Sequence, residues 1–466
     1  MENTTKLTAM TTRFESFRLT HQHSLTLSYF VLLLLPFVIA ESLGMLTAGV
    51  YQTVLTVLNL LAMMAFFVQF PLAGRLKRLP LFSHIDWAMT KHKQWGRYLG
   101  IFFFLHPFLI LAPKLLVSVD DLGLSFISVL TESQLLTGLI AWAVMAVWVL
   151  MSIYKDKLSL TYERWRLLHV IGFMTIATLA TLHVTTVGSH GQYNTSFNTL
   201  WWCLYLLCMG LTVYNYLIKP RLIRQHAFTV QSISKISERD WQLSLEKHSP
   251  QAFTFSAGQF VWLNTSGSVY SLQQHPFSIV SEENTHGQLS FIIRELGDYT
   301  KKLASLNVGQ SVLVDGPYGN LSLAQTRTAR GLIFIAGGAG IAPMMGLIRE
   351  LAKQHDPRPI HLLYANQTLA NMVCLDELIA LQHKLKHFKL HLFCEHLDGC
   401  AADVLPYVQT GVIDQLQINA AMETLATKTD WAIYHCGPKG MIKATNQHLK
   451  AIGINANQIH FEQLSF

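Results

Sequence analysis

Six apolar stretches of spanning length crowd the first ~220 residues, and they constrain this chain more than any other feature. They run roughly over 25–45, 50–73, 94–117, 134–153, 166–187 and 198–218. Each approaches the ~20 residues that cover a bilayer core. Leu25 to Ala40 follows Lys6, Arg13 and Arg18, as a signal-peptide core would, but no small-residue cleavage site comes after it. It therefore counts as a span. Charged residues make up only 14% of the 466-residue chain, against ~25% in ordinary soluble proteins. Basic residues gather between spans 2 and 3 (Arg75, Lys77, Arg78, Lys91, Lys93, Arg97), between spans 4 and 5 (Lys155, Lys157, Arg164, Arg166) and after span 6 (Lys219, Arg221, Arg224). The opposite loops hold Lys114 beside Asp120, Asp121 and Glu132. This asymmetry predicts cytoplasmic termini and accounts for much of the net charge of +7 without a nucleic-acid partner. The partner it implies is the lipid bilayer.

Four histidines lie in the apolar half at matched spacing. His92 and His106 belong to span 3, and His169 and His183 to span 5; each pair is 14 residues apart. Fourteen helical steps return a side chain to within about 40° of its starting direction and raise it by roughly 21 Å. Each pair therefore faces one way at two membrane depths. A single intramembrane histidine more often packs or relays protons. Two matched pairs on helices running in the same direction instead suit two stacked haems, with His92 and His169 at the cytoplasmic level and His106 and His183 at the outer level. Pro107 is expected to loosen the helix beside His106. His84 and His190 are given no role. The six cysteines form no CxxC, so neither a zinc site nor a disulfide framework is indicated. On the histidine spacing, the chain resembles the ferric reductase and NADPH oxidase superfamily. That resemblance implies a six-helix membrane domain holding two haems b.

From about residue 222 the pattern changes. Short alternating segments, among them "AGQFVWLNT", "HPFSIVS", "QLSFIIREL" and "SVLVDGPYG", predict a small antiparallel barrel. "GLIFIAGGAGIAPMMGLIRELAKQ" and "WAIYHCGPKGMIKATNQHLKAIG" read as strand, turn and helix, the unit of a doubly wound nucleotide-binding domain. Gly337, Gly338 and Gly340 stand between strand and helix, where a backbone can approach a pyrophosphate, and Pro343 suits the first helical turn. The expected architecture is a multi-domain membrane protein. An all-α six-helix bundle (1–220) precedes an antiparallel β-barrel (221–325) and an α/β doubly wound domain (326–466).

The order "HPFS", "GPYG", "GGAGIAP", "CGP" resembles the ferredoxin–NADP reductase superfamily, in which an FAD barrel precedes a nicotinamide domain. By that resemblance His275, Pro276, Phe277 and Ser278 form the flavin motif. Phe277 packs on the flavin, Ser278 hydrogen-bonds its redox face and His275 sits near phosphate or ribose. In "RELGDYT", Arg294 pairs with the pyrophosphate, while Thr300 caps a helix and contacts phosphate. Gly316 and Pro317 belong to the turn leading to the nicotinamide domain. Cys436, Gly437 and Pro438 lie beside the nicotinamide, and the terminal Phe466 shields the flavin.

The cofactors implied are two haems b, FAD, and NADH or NADPH. Gln367 stands where many NADP-linked relatives carry arginine, which favours NADH; the oxidase branch favours NADPH. The resemblance implies an integral plasma-membrane protein that passes electrons from cytoplasmic NAD(P)H through FAD and haem to an external acceptor. The outer loops show no dense cluster of His, Asp or Glu, which favours oxygen over a ferric chelate. A membrane transporter or channel regulated by its nucleotide-binding domain is the alternative of another class. Protein partners, oligomeric state and regulation are not legible.

Overall fold

The computed structural model describes residues 21–46, 49–77, 79–115, 118–187, 194–247, 253–283, 287–396, 408–423 and 430–461. Phe466, His190, Arg78 and the basic residues before His21 lie outside them. The chain divides into two compact units, Met1–Asn215 and Tyr216–Phe466.

The first unit is helical: α1 (His21–Leu33), α2 (Leu35–Ser42), α3 (Val50–Ala73), α4 (Ile85–Leu115), α5 (Val119–Thr131), α6 (Ser133–Ile153), α7 (Tyr162–Val187) and α8 (Thr195–Val213). Six helical segments are long and apolar enough to cross a membrane, with α1 and α2 together supplying the first. Pro36 falls at the start of α2, where its missing N–H and ring disrupt a continuous helix. The third span starts earlier than its apolar run, because α4 takes in the polar segment from Ile85 and so places His92 two turns inside a helix. Residues 119–131 form an additional helix, α5, too short to span. The Ser118 side chain caps it by accepting from Asp121 N at 2.9 Å.

α3 is the central helix of this unit. It buries Met64, Phe66, Phe67 and Leu72, and Phe67 stacks on the fully buried Trp201 of α8. By contrast, α4, α6 and α7 leave Ile101, Phe108, Val147, Leu150 and Ile171 exposed. Lipid is the medium that covers such surfaces.

In the second unit, β1 (Ala227–Lys235), β2 (Asp240–Glu246), β3 (Phe260–Asn264), β4 (His275–Ser278), β5 (Gln288–Arg294) and β6 (Ser311–Tyr318) form an antiparallel sheet of order β4-β3-β6-β1-β2-β5. A bridge between Ile279 and Phe291 joins its two ends into a barrel. Phe228, Leu243, Leu245, Val261, Leu263 and Phe291 fill it.

Strands β7 (Gly331–Gly337), β8 (Ile360–Thr368), β9 (Phe388–His396), β10 (Val408–Thr410), β11 (Trp431–Cys436) and β12 (Ile459–Phe461) form a parallel sheet of order β10-β9-β8-β7-β11-β12. β7 runs as an unbroken apolar stretch because both its faces are covered, while β8 is buried over Ile360–Tyr364 and turns polar at Asn366–Thr368. The strand order reverses between β7 and β11, which opens a crevice beyond their carboxyl ends. Helix α9 (Ile341–Lys353) leads out of that crevice and packs on the barrel. Its Arg349 donates to Val280 O at 2.8 Å, and its Glu350 accepts from Glu283 N at 2.9 Å.

Candidate functional site

Helices α4 and α7 bring His92 and His169 together, with ring centres 6.1 Å apart and planes at 72°. Two axial imidazoles sharing one iron stand roughly 6 Å apart, given metal–nitrogen bonds of about 2 Å. This pair therefore fits a haem iron between its rings. His169 is framed by Trp165 at 5.1 Å and Phe173 at 4.7 Å, and its Nδ1 lies 3.0 Å from Ser152 Oγ on α6. At the other level, His106 packs near Phe102 and Phe103. Among the described residues the buried Nδ1 of His183 meets no hydrogen-bond partner, and its ring lies against Gly138 of α6. A Cβ at Gly138 would come within 2.5 Å of His183 Nδ1, so only glycine leaves room for the imidazole there.

In the barrel, β4 carries His275, Pro276, Phe277 and Ser278, with Ser278 buried. Antiparallel pairing sets Ser278 opposite Phe260 and Phe277 opposite Val261. Tyr299 sits over this motif, 4.1 Å from His275 and stacked on Phe277 at 6.2 Å. Its hydroxyl donates to Leu263 O, and burial pushes its pKa up to about 12 despite the Thr265 hydrogen bonds. Tyr299 therefore stays neutral. No motif in the sequence marks Tyr299, although it stands one residue before Thr300.

Arg294 is held by Asp240, its register partner on β2. Nε donates to Oδ1 at 2.9 Å and Nη2 to Oδ2 at 3.0 Å. Nη2 also donates to Asn371 O at 3.4 Å, and a Cβ at Gly338 would lie 2.7 Å from Nη1. The guanidinium thus reaches from the barrel to the glycine turn of the parallel sheet. Asp240 is fully buried, and Ser237 Oγ donates to it at 2.6 Å. Nothing in the local sequence marks Asp240, because only strand register sets it opposite Arg294.

Thr300 Oγ1 accepts from Leu296 N and Gly297 N at 2.9 and 3.0 Å. It closes the turn from the third helical position, with Gly297 as the N-cap. Gly316 and Pro317 lie within β6, joined by a cis peptide bond. Beside them Lys219 contacts Asp315 at 3.0 Å and donates to the Tyr318 hydroxyl at 2.7 Å; Tyr318 in turn donates to Asp315.

The sheet reversal brings the two nucleotide motifs side by side. A Cβ at Gly340 would strike the Cys436 carbonyl and come within 2.8 Å of Gly437 N. At Gly337 a Cβ would meet Met441 and, at 3.1 Å, Pro438. Gly338 has φ +53°, a left-handed conformation that favours glycine. Pro343 is buried in the first turn of α9, whose N-terminus faces the crevice. Gln367 is exposed near the end of β8. His435, next to Cys436, is fully enclosed and held down to about 4 by burial, against a weaker opposing hydrogen bond to Asn446.

Family models match three consecutive parts of the chain. Residues 48–182 match "Ferric reductase like transmembrane component", 225–322 an "FAD-binding domain" and 334–447 an "Oxidoreductase NAD-binding domain". The chain has the domain architecture of the ferric reductase and NADPH oxidase superfamily. The ferric reductase-like match includes His92, His106 and His169 and ends one residue before His183. Six apolar helices and this match make the protein an integral membrane protein. Among curated relatives, the toluate 1,2-dioxygenase electron transfer component of Pseudomonas putida is 30% identical over 239 residues, covering 51% of this chain and 66% of the relative. The plasma membrane-associated coenzyme Q6 reductase of Saccharomyces cerevisiae is 29% identical over 185 residues, covering 39% and 56%. The chain thus covers 66% and 56% of the length of these two relatives. A flavohemoglobin structure from Malassezia yamatoensis aligns with TM-score 0.48 at 18% identity, over 85% of this chain and 98% of that one.

Proposed function

We propose that this protein is a transmembrane NAD(P)H-dependent oxidoreductase. Electrons pass from cytoplasmic NAD(P)H through FAD and two bis-histidine haems to an external acceptor at the plasma membrane. Its parts are a haem domain (1–220), an FAD barrel (221–325) and a nicotinamide domain (326–466). The observation that carries this reading is the 6.1 Å separation of the His92 and His169 rings on two spanning helices. When bound, FAD takes the two electrons of a hydride and releases them singly to haem iron, which accepts one at a time.

The chain's own residues hold and orient these groups. His92 and His169 would hold the inner haem, and His106 and His183 the outer one. Haem held by two imidazoles would supply one-electron transfer. Phe277 and Tyr299 offer aromatic faces to the flavin, and Ser278 offers it a hydroxyl. Arg294, steadied by Asp240, is within reach of anionic groups at the glycine turn. Gly337, Gly338 and Gly340 leave room for a pyrophosphate at the start of α9. Cys436 and Phe466 take the nicotinamide and flavin-shielding roles. Gln367 supplies no cation for a 2′-phosphate, which supports NADH as donor.

Oxygen is the proposed acceptor, giving superoxide, because the sequence of the outer loops shows no dense cluster of His, Asp or Glu. The match to a ferric reductase-like component supports ferric chelate as the second reading. Purified protein, supplied with FAD and reduced anaerobically by NADH, is expected to show reduced haem bands that reoxidise when oxygen enters. A colourless preparation from haem-sufficient cells would defeat the haem reading. Activity insensitive to superoxide dismutase and dependent on ferric chelate would replace oxygen with iron.

A further inference from the structure

His169 is gripped by its neighbouring helix in a way the ligand role alone does not require. Ser152 Oγ on α6 lies 2.8 Å from Trp148 O and 3.0 Å from His169 Nδ1. A hydroxyl has one proton to donate and two lone pairs. Donation to the carbonyl four residues earlier is a common habit of serine in membrane helices, and it explains the first contact but not the second. With its proton on Trp148 O, Ser152 turns a lone pair toward His169, which must then donate from Nδ1. A neutral imidazole protonated at Nδ1 presents its free pair at Nε2, the state an axial ligand needs.

Neighbouring contacts fix the same stretch of α7. Trp148 Nε1 donates to Leu168 O at 2.9 Å, and a Cβ at Gly172 would overlap the Trp148 indole. α6 therefore holds α7 on either side of His169, at Leu168 and Gly172, as well as at the imidazole itself.

We infer that Ser152 is a positioning residue that sets the tautomer of His169 and raises its donor strength. The inference rests on the haem reading above. A more strongly donating imidazole favours ferric iron, so Ser152 lowers the reduction potential of the inner haem and leaves the outer one unmoved.

The test is an anaerobic redox titration, followed by haem absorbance, of the full-length protein in lipid nanodiscs. Haem is counted per chain in wild type, Ser152→Ala and Ser152→Thr. S152A is expected to retain two haems and to raise one midpoint potential only. The reduction equilibrium should shift three- to tenfold, the upper end being about 59 mV for a one-electron couple. S152T, which keeps the hydroxyl, is expected to restore the wild-type value. Both potentials unmoved in fully loaded S152A would overturn the inference. If S152A is not recovered, Ser152→Cys carries the test. Its weaker acceptor should shift one potential in the same direction, and an unshifted S152C would equally overturn the inference. Wild type that binds no haem defeats the haem reading instead, a separate and visible outcome.

Discussion

Gly138→Ala is the sharpest probe of the outer haem level. The new methyl would sit 2.5 Å from His183 Nδ1 and 2.8 Å from Nε2. Ordinary contact begins near 3.4 Å, so the ring must retreat by about 1 Å. Overpacking of this kind costs roughly 1–3 kcal/mol, and alanine returns up to about 1 kcal/mol through its better helix propensity. The bundle itself is therefore expected to lose only about 0–2 kcal/mol. A metal ligand has far less freedom, since coordination tolerates roughly 0.2 Å. If the protein holds two haems as proposed, purified G138A should thus contain one per chain where the wild type contains two, measured by pyridine haemochrome against protein. Gly100→Ala is the matched control. Its methyl would lie 2.6 Å from Val149 Cγ1, a similar crowding of α4 against α6 with no histidine involved, and it should keep both haems. Two haems with an unchanged spectrum in G138A would refute the reasoning, as would equal haem loss in G100A.

Other perturbations address the second unit. Asp240→Ala leaves Arg294 without its bidentate partner and should lower stability by about 3 kcal/mol, or roughly 6–12 °C in apparent Tm; strict additivity with Arg294→Ala in the double mutant would argue against the pair. His361 and His435 are both held down to about 4 by burial, with repulsion from His391 and Lys389 adding at His361. The unfolded chain takes up these protons near pH 6.5, so stability present above that pH should fall as pH drops toward 4. The slope is about 1.4 kcal/mol per pH unit for each group. His361→Gln should flatten the pH dependence of denaturant unfolding, and an unaltered slope would contradict the assignment. Gln367→Arg should raise kcat/KM for NADPH relative to NADH at least tenfold, the effect of about 1.4 kcal/mol from a charge-assisted contact; an unchanged ratio would remove Gln367 from the 2′ position.

The two halves were legible in the sequence to different degrees. Spanning helices announce themselves because lipid demands long apolar runs, and α3, α6, α7 and α8 follow theirs closely. α4 extends further because its first turns, from Ile85, are polar yet still helical, a continuation that hydropathy does not register. α5 escaped notice because thirteen residues are too few to span. In the second half, glycine turns and apolar strands marked the doubly wound sheet, while the barrel emerged from alternation.

The sequence by itself determined that the chain enters a membrane, that two histidine pairs each share a helix face, and that a glycine turn precedes a helix. These are local properties, set by periodicity, length and the backbone freedom of particular residues. Only the tertiary structure decided that Gly138 lies under His183, that Ser152 faces His169, that Asp240 clamps Arg294 and that Gly340 meets Cys436. Such contacts join residues far apart in the chain. They depend on helix rotation, strand register and the point where a sheet reverses, and a one-dimensional pattern carries none of these.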